Sequence, residues 1–363
     1  MRLLSVHLSN IRNYSQLDFE PAPGLNVFVG DNAQGKSNLL EAISMLGTGK
    51  SFRTNKEGDL IRSGLEIANI SGEAEIRAGV VRLGCTITQS ARGTRKIYTV
   101  NGESVRYAKF LGSLKVVTFV PADLNLVAGP PGERRSFINV ALAQETPLYY
   151  RELVRYQKAL AQKNAMLRAP DAFDQDLLQV YNETLVEAGT KLMLARNHFV
   201  IQLHAVAQRV HAEWSDNVEV LEVRYEPKVA FEAPTEDSIA GSFAAALRDA
   251  EARERARQTS VIGPHRDDIG LVLDGKSLAG YGSQGQHRTA VLALKVAEYT
   301  VMHMASGEAP LLLLDDVLSE LDPRRAEAFL GGVGAYEQAF ITATHLPREL
   351  AGAARYRIAE GAV

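Results

Sequence analysis

The sequence predicts an α/β fold in which mixed sheets surround one glycine-introduced helix, with a mainly helical arm inserted between two halves of that assembly. Three observations predict it. Short apolar stretches near the start of the chain run into Gly30-Asp31-Asn32-Ala33-Gln34-Gly35-Lys36-Ser37 and then into helical spacing. A fully apolar strand ending in two carboxylates, Pro310 to Asp316, follows far downstream, with Asp315 lying 278 positions after Ser37. Between the two, from roughly Pro147 to Trp214, the apolar periodicity is helical. On this reading residues 1–118 and 258–363 form the head, and 119–257 form the arm.

In chain order, LLSVHLSNI, LDF and LNVFVG read as strands, with Pro21 to Gly24 as a turn before the last. Leu39, Leu40, Ile43 and Leu46 mark the helix that follows the glycines. From about Ile67 to Val120 an antiparallel meander is expected, clearest at Val80 to Thr88 and Ile97 to Val100, with Asn101-Gly102 as a tight turn. In the arm, Leu178, Tyr181, Leu185, Ala188, Leu192, Phe199, Leu203, Val206 and Val210 recur at helical steps, and Arg168-Ala169-Pro170-Asp171 divides a shorter helix from a longer one. A helix of about 40 residues spans about 60 Å, a stubby arm and no long coiled coil. Glu213 to Ser238 is an acidic stretch that should repel DNA and includes a strand at Val218 to Tyr225. Phe243 to Arg257 reads as helix, Ile262 to Leu273 as strand and turn, Thr289 to Tyr299 as an apolar helix, and Ala339 to Thr342 as an apolar strand.

Composition narrows the class. With 46% hydrophobic residues in 363, the chain can bury a sizeable core in two domains, or in one domain with a large insertion. The 40 Lys and Arg against 43 Asp and Glu exclude a chain that is basic all over, so any contact with DNA needs a local patch. Cys85 is the single cysteine, which excludes a disulfide framework or a Cys-rich metal site. The longest aliphatic runs fall far below a bilayer span, and MRLLSVHLSNIRNY lacks the apolar centre of a signal peptide, so a cytoplasmic, soluble protein without a membrane partner is expected.

The glycine segment matches G-x-x-x-x-G-K-S between a strand and a helix, the context a phosphate loop requires. Gly30 and Gly35 let the backbone wrap so that its N–H groups and the helix N-terminus point at phosphates. Lys36 then reaches the β and γ oxygens, and Ser37 can hold Mg²⁺. Asp31, Asn32, Ala33, Gln34 and Asn38 complete the candidates around ATP. In the Walker B pattern PLLLLDD, Asp315 would join the Mg²⁺ shell and Asp316 would orient or deprotonate the attacking water. Singly, Ser319-Glu320-Leu321-Asp322 is a helix cap, His345 a surface histidine, and Ser283-Gln284-Gly285-Gln286 a polar loop; in this order they make a set. A basic stripe also stands out between Arg77 and Phe119, where Arg77, Arg82, Arg92, Arg95, Lys96, Arg106, Lys109 and Lys115 face one acid, Glu103. Arg77, Arg92, Arg95 and Lys96, with Lys50, Arg53 and Lys56, are the DNA candidates, for salt-sensitive contact without base reading.

The order of Walker A, inserted arm, SxGQ signature, Walker B, D-loop and switch histidine resembles ABC-type ATPase heads, and within them the SMC-like RecF family. More specific to that family are GDNAQGKSNLLEAI, Lys50 to Thr54 (KSFRT), Pro131 to Asn139 (PGERRSFIN) and Gly263 to Ile269 (GPHRDDI). The resemblance implies that Ser283, Gly285 and Gln286 contact the γ-phosphate on another protomer, that Asp322 sits at the dimer seam, and that His345 senses the γ-phosphate. It places Arg12 and Asn13 near the nucleotide. It also implies a weak ATPase whose ATP-held homodimer clamps double-stranded DNA near single-strand gaps, and which with RecR and RecO helps load RecA.

Two departures from the wider ABC pattern, GSQGQ for LSGGQ and Asp316 for Glu, are shared with that family, and the shorter carboxylate predicts slow hydrolysis. No glutamine is assigned to the Q-loop. Dimerisation follows from chemistry too, because a signature loop opening a helix suits a phosphate, yet the phosphate loop of the same chain already surrounds its own nucleotide. A transporter subunit is the alternative, but it would need LSGGQ and a coupling surface in place of the arm. A fused nuclease would need clustered carboxylates after His345, and an SMC protein would need far longer arms.

Overall fold

A computed structural model describes residues 1–169, 173–317, 336–344 and 352–363. In chain order the elements are β1 (Arg2–Ile11), β2 (Tyr14–Phe19), β3 (Gly24–Val29), α1 (Lys36–Thr48), β4 (Ile67–Ile76), β5 (Gly79–Ser90), β6 (Gly93–Val100), β7 (Glu103–Val105), α2 (Tyr107–Phe110) and β8 (Val116–Phe119). Then come α3 (Asn125–Ala128), α4 (Pro131–Glu145), α5 (Pro147–Leu167), α6 (Gln175–Trp214), β9 (Leu221–Glu226), α7 (Glu236–Arg257), β10 (Asp268–Leu273), β11 (Lys276–Ser277) and α8 (Leu278–Tyr281). The chain closes with α9 (Gln284–Ser306), β12 (Leu311–Leu314), β13 (Gln338–Ala343) and β14 (Ala354–Arg357). The helix break at Pro170-Asp171, Ser319 to Asp322, and His345 lie outside the described residues.

Two compact units emerge: Met1–Leu124 with Leu294–Val363, and Asn125–Ala293. The first holds two sheets. One is wholly antiparallel, ordered β2-β1-β4-β5-β6-β7; the other is parallel, ordered β14-β3-β13-β12-β8, so the mix of strand directions lies between the sheets and not within either. Helix α1 packs against strands of both, so Leu39, Leu40, Ile43, Met45 and Leu46 are wholly buried. Each such side chain contributes about 1.5–3 kcal/mol. The fit is close enough that a Cβ on Gly47 would fall 2.4 Å from Val116 Cγ2 and 2.5 Å from the Leu114 carbonyl, which is why glycine stands in mid-helix.

In β1 the buried positions step from Leu3 to Val6 and then to Leu8, breaking strict alternation. A bulge against β4 between Leu3 and Ser5 shifts the phase. The meander expected to reach Val120 ends earlier. Its last stretch, β8, pairs in parallel with β12, since Val116, Val117 and Phe119 are buried and suit a strand covered on both sides.

In the second unit α6, 40 residues long, packs against α5, α7 and β9, and β9 and β10 form an antiparallel pair. That pair carries residues 258–293 into this unit, whereas the sequence reading ends the arm at 257. Helix α7 begins at Glu236, earlier than its apolar spacing suggests, because Thr235 caps it by accepting from Ser238 N–H.

The PGERRSFIN and GPHRDDI segments meet here. Arg134 grips Asp268 with two bonds of 2.7 and 2.8 Å. Arg196, 3% exposed, donates to the Pro264 carbonyl at 2.6 Å, Asn139 Oδ1 at 3.0 Å and the Tyr149 hydroxyl at 3.1 Å. It lies 3.5 Å from Asp267, which also accepts from the Tyr225 hydroxyl at 2.5 Å. These segments therefore staple α4, α5, α6 and β9 to one loop. Among the described residues no helix is long and apolar enough to cross a membrane.

Candidate functional site

Strand β3 ends at Val29 and α1 starts at Lys36, so residues 30–35 form the turn between them. Gly35 has φ +119°, and a Cβ there would fall 2.7 Å from Asn13 Nδ2 and 3.0 Å from the Tyr14 hydroxyl. Only glycine fits this left-handed, crowded position. The loop is held from behind. The Tyr14 hydroxyl donates to the Gly35 carbonyl at 3.1 Å, and burial raises its pKa, so it stays a donor. Asn13 Nδ2 and Gly361 N–H both donate to the Gln34 carbonyl, at 2.9 and 3.1 Å, and Glu360 N–H donates to Gln34 Oε1 at 2.7 Å. The Gln34 and Gly35 carbonyls are thus held by the β1–β2 hairpin and the C-terminal turn. Lys36 is 8% exposed and donates to the carbonyls of Gly30 at 2.6 Å and Asp31 at 2.8 Å, centring its ammonium over the loop.

Ser37 and Asp315 converge. Ser37 Oγ donates to Asp315 Oδ1 at 2.7 Å, and Thr342 Oγ1 donates to the same oxygen at 2.8 Å. Asp315 N–H donates to the Phe119 carbonyl at 2.9 Å, while Asp316 N–H donates to Thr342 Oγ1 at 2.9 Å. Thr342, near the end of β13, therefore ties the Asp315 carboxylate and the Asp316 backbone to the sheet. Sequence reading did not single it out; its place at the end of an apolar strand just before His345 was the available signal. Asp316 adopts φ +50°, which turns the chain sharply as it leaves β12. Ser37 Oγ and a carboxylate oxygen are hard donors suited to Mg²⁺. A cavity of about 710 Å³ flanks the loop, lined by Gly30, Asp31, Gln34, Thr344 and residues of β14 and the turn after it.

Asn13 also accepts from Asn38 Nδ2 at 2.8 Å, and Asn38 Oδ1 accepts from Arg53 at 2.5 Å. Arg12 is committed elsewhere: its guanidinium makes two bonds to Glu41, at 2.8 and 2.9 Å, and one to the Asp59 carbonyl at 2.8 Å. Glu41, 1% exposed, also accepts from Ser51. Arg12 thus braces α1 and the segment after it. In the second unit, Ser283 precedes α9, with Gly285 and Gln286 in its first turn.

The cationic candidates separate by strand geometry. Arg92 lies in the β5–β6 turn and Arg95 points outward opposite Thr88; both are exposed. Lys50, Arg53 and Lys56 are exposed on the segment packed beside that end of β5, where Gly58 approaches Gln89 and Thr94. Arg77 lies in the β4–β5 turn at the other end of β5, about 40 Å away along a 12-residue strand. Lys96 alternates inward with the buried Tyr98: its side chain is 8% exposed, donates to the Gly49 carbonyl at 2.8 Å and pairs with Glu57. It is a structural cation and not a surface contact.

The chain matches the RecF/RecN/SMC N terminal domain family over residues 2–357. It is 43% identical over 352 residues to the DNA replication and repair protein RecF of Symbiobacterium thermophilum, covering 95% of this chain and 92% of that one. The chain belongs to the RecF family. The RecF of Geobacillus thermodenitrificans is 39% identical over 371 residues, covering 100% and 99%. A solved RecF–ATP structure, described as the recombination mediator protein in the RecFOR pathway, superposes with a TM-score of 0.92 at 30% identity, covering 99% of this chain and 96% of that one. An SMC head bound to ScpA superposes at 0.54 with 14% identity over 95% and 90% of the two chains, which shows the shared head fold alone. The α/β head expected from the sequence is thus the RecF and SMC head fold.

Proposed function

We propose that the chain is an ATP-dependent DNA-binding protein of recombinational repair and replication maintenance, with weak ATPase activity. The observation that carries this is the convergence of Lys36, Ser37, Asp315 and Thr342 at the end of β3, β12 and β13 in a RecF-family chain. Loop N–H groups and Lys36 would hold the phosphates of ATP, and Ser37 and Asp315 would hold Mg²⁺. When bound, Mg²⁺ supplies charge neutralisation at the β and γ oxygens. Asp316 would orient the attacking water. Its carboxylate is one methylene shorter than the glutamate of faster ABC heads, which favours slow turnover and makes ATP a timer of complex lifetime.

The signature residues Ser283, Gly285 and Gln286 would close over the γ-phosphate held by a second copy, so that two ATP molecules become part of a twofold interface. Asp322 and His345 take the seam and γ-phosphate-sensing roles by family resemblance. The two-domain reading, a head with an inserted arm, is retained with it. Lys50, Arg53, Lys56, Arg92 and Arg95 form the favoured duplex surface, and Arg77 would serve a separate contact. By relation to the RecFOR pathway, the DNA is gapped duplex, RecR is the direct partner, and RecO and RecA act alongside, in the cytoplasm.

Light scattering with and without ATP and Mg²⁺ tests the reading. An ATP-dependent dimer is expected, absent in Lys36→Ala, which should not bind ATP, and in Ser283→Ala, whose monomer should still bind it. Normal dimerisation of the Ser283 variant would sink the trans-site arrangement.

A further inference from the structure

The side-chain amide of Gln286 is pinned at both ends. Its Oε1 accepts from Ser283 N–H at 2.8 Å, and its Nε2 donates to Glu219 Oε1 at 2.8 Å. In return Ser283 Oγ accepts from Gln286 N–H at 3.2 Å, which closes a reciprocal capping box on α9. With a lone pair of Ser283 engaged by the backbone, the hydroxyl proton is left to donate outward.

A carboxylate only accepts, so Glu219 fixes which end of the Gln286 amide it receives. Turned end for end, that amide would face Glu219 with its oxygen and Ser283 N–H with its NH₂, and both contacts would be repulsive. Glu219 itself stands on firm ground. It follows α6, and its second oxygen lies 3.7 Å from Nε2 of the fully buried His211 in the last turn of that helix. The next residue is clamped to the β10–β11 turn, with Val220 N–H donating to Asp274 Oδ1 at 2.9 Å and Asp274 N–H donating to the Val220 carbonyl at 3.1 Å.

We propose that Glu219 is a positioning residue for ATP-dependent assembly: it locks Gln286 and, through it, the capping box that presents Ser283 to the nucleotide of a second copy. This rests on the reading that the signature loop acts in trans. Glu219 touches no nucleotide in that scheme and acts through Gln286 alone.

The test measures the dimer dissociation constant in ATP and Mg²⁺ by sedimentation, and ATP affinity at protein concentrations below dimerisation, for Glu219→Ala, Glu219→Gln and Ser283→Ala. Glu219→Ala should weaken the dimer about tenfold or more, the scale of one lost hydrogen bond to a charged acceptor, with monomer ATP affinity unchanged. Glu219→Gln should restore it to within about threefold, because its amide oxygen accepts from Gln286 Nε2 as the carboxylate does. A Glu219→Ala protein that dimerises as tightly as the parent, or more tightly, overturns the proposal, as does a glutamine variant as impaired as alanine. If Ser283→Ala also dimerises normally, the trans reading itself has failed; if only Ser283→Ala is impaired, the role of Glu219 alone has failed.

Discussion

Thr342 carries more of the site than its neutral side chain suggests. Its hydroxyl donates to the Asp315 carboxylate and accepts from the Asp316 N–H, so one atom holds the first carboxylate and the backbone that carries the second. Replacement by valine keeps shape and β-branching but leaves a buried acceptor and a buried donor without that partner, at about 1–3 kcal/mol. Thr342→Val should therefore bind ATP within about threefold of the parent, since Lys36 and the loop are untouched, and hydrolyse it about tenfold more slowly. Single-turnover hydrolysis beside equilibrium binding checks this; a proportionate loss of both would place Thr342 in nucleotide binding instead. The phosphate loop and the paired carboxylates were legible because their chemistry demands consecutive residues. Thr342 and Tyr14 were not, because each acts on a partner well separated from it in sequence and carries no motif of its own. Arg12 was legible only through family resemblance, and in this structure its guanidinium bonds Glu41 and the Asp59 carbonyl.

At the scale of a strand, period-two alternation decides what a basic run can do. Arg95 and Lys96 are adjacent in β6, yet one is exposed and the other is packed between Gly49, Glu57 and the Tyr98 ring. Reversing Arg92 and Arg95 to Glu should weaken duplex binding and lower the slope of log affinity against log salt by about 2. Lys96→Ala should leave that slope alone and lower stability by about 1 kcal/mol, because the Gly49 carbonyl loses one of its two donors, keeping the Tyr98 hydroxyl, and Glu57 loses its cation. Fluorescence anisotropy across a salt series, with denaturant unfolding alongside, separates the two; an altered slope in Lys96→Ala would return that residue to the DNA surface. Composition located the stripe but not its faces, for a run of strong β formers fixes alternation only once a bulge-free register is known. For the same reason β8 was read into the meander: a four-residue strand with three apolar side chains does not state which sheet will bury it.

At the scale of the whole molecule, the family-specific segments PGERRSFIN and GPHRDDI serve as the internal bracing of the second unit, and the consequence is a pH dependence. His265 bonds the Tyr156 hydroxyl at 2.7 Å through Nδ1 and the Ser260 carbonyl at 3.2 Å through Nε2. Burial, then the nearby Arg266 and Arg135, push its pKa down to about 4, against support from the Ser260 carbonyl and Glu254. The ring is thus neutral in the folded chain while the unfolded chain takes up a proton near pH 6.5. Between those values the unfolded state binds more protons, so stability is fully present above about pH 6.5 and falls as pH drops toward 4, by at most about 3 kcal/mol. Asp268 adds nothing in that window. Burial opposes its ionisation, but Arg134 holds its pKa below the usual range, so its contribution is lost only at lower pH. Thermal unfolding of the full chain from pH 7.5 to 4.5 should show a falling midpoint. His265→Gln retains a donor and an acceptor without a titrating group, and should show a shallower fall. Equal slopes for the two proteins would mean that the imidazole is not the group that charges, and that the pH dependence of this unit answers to another residue.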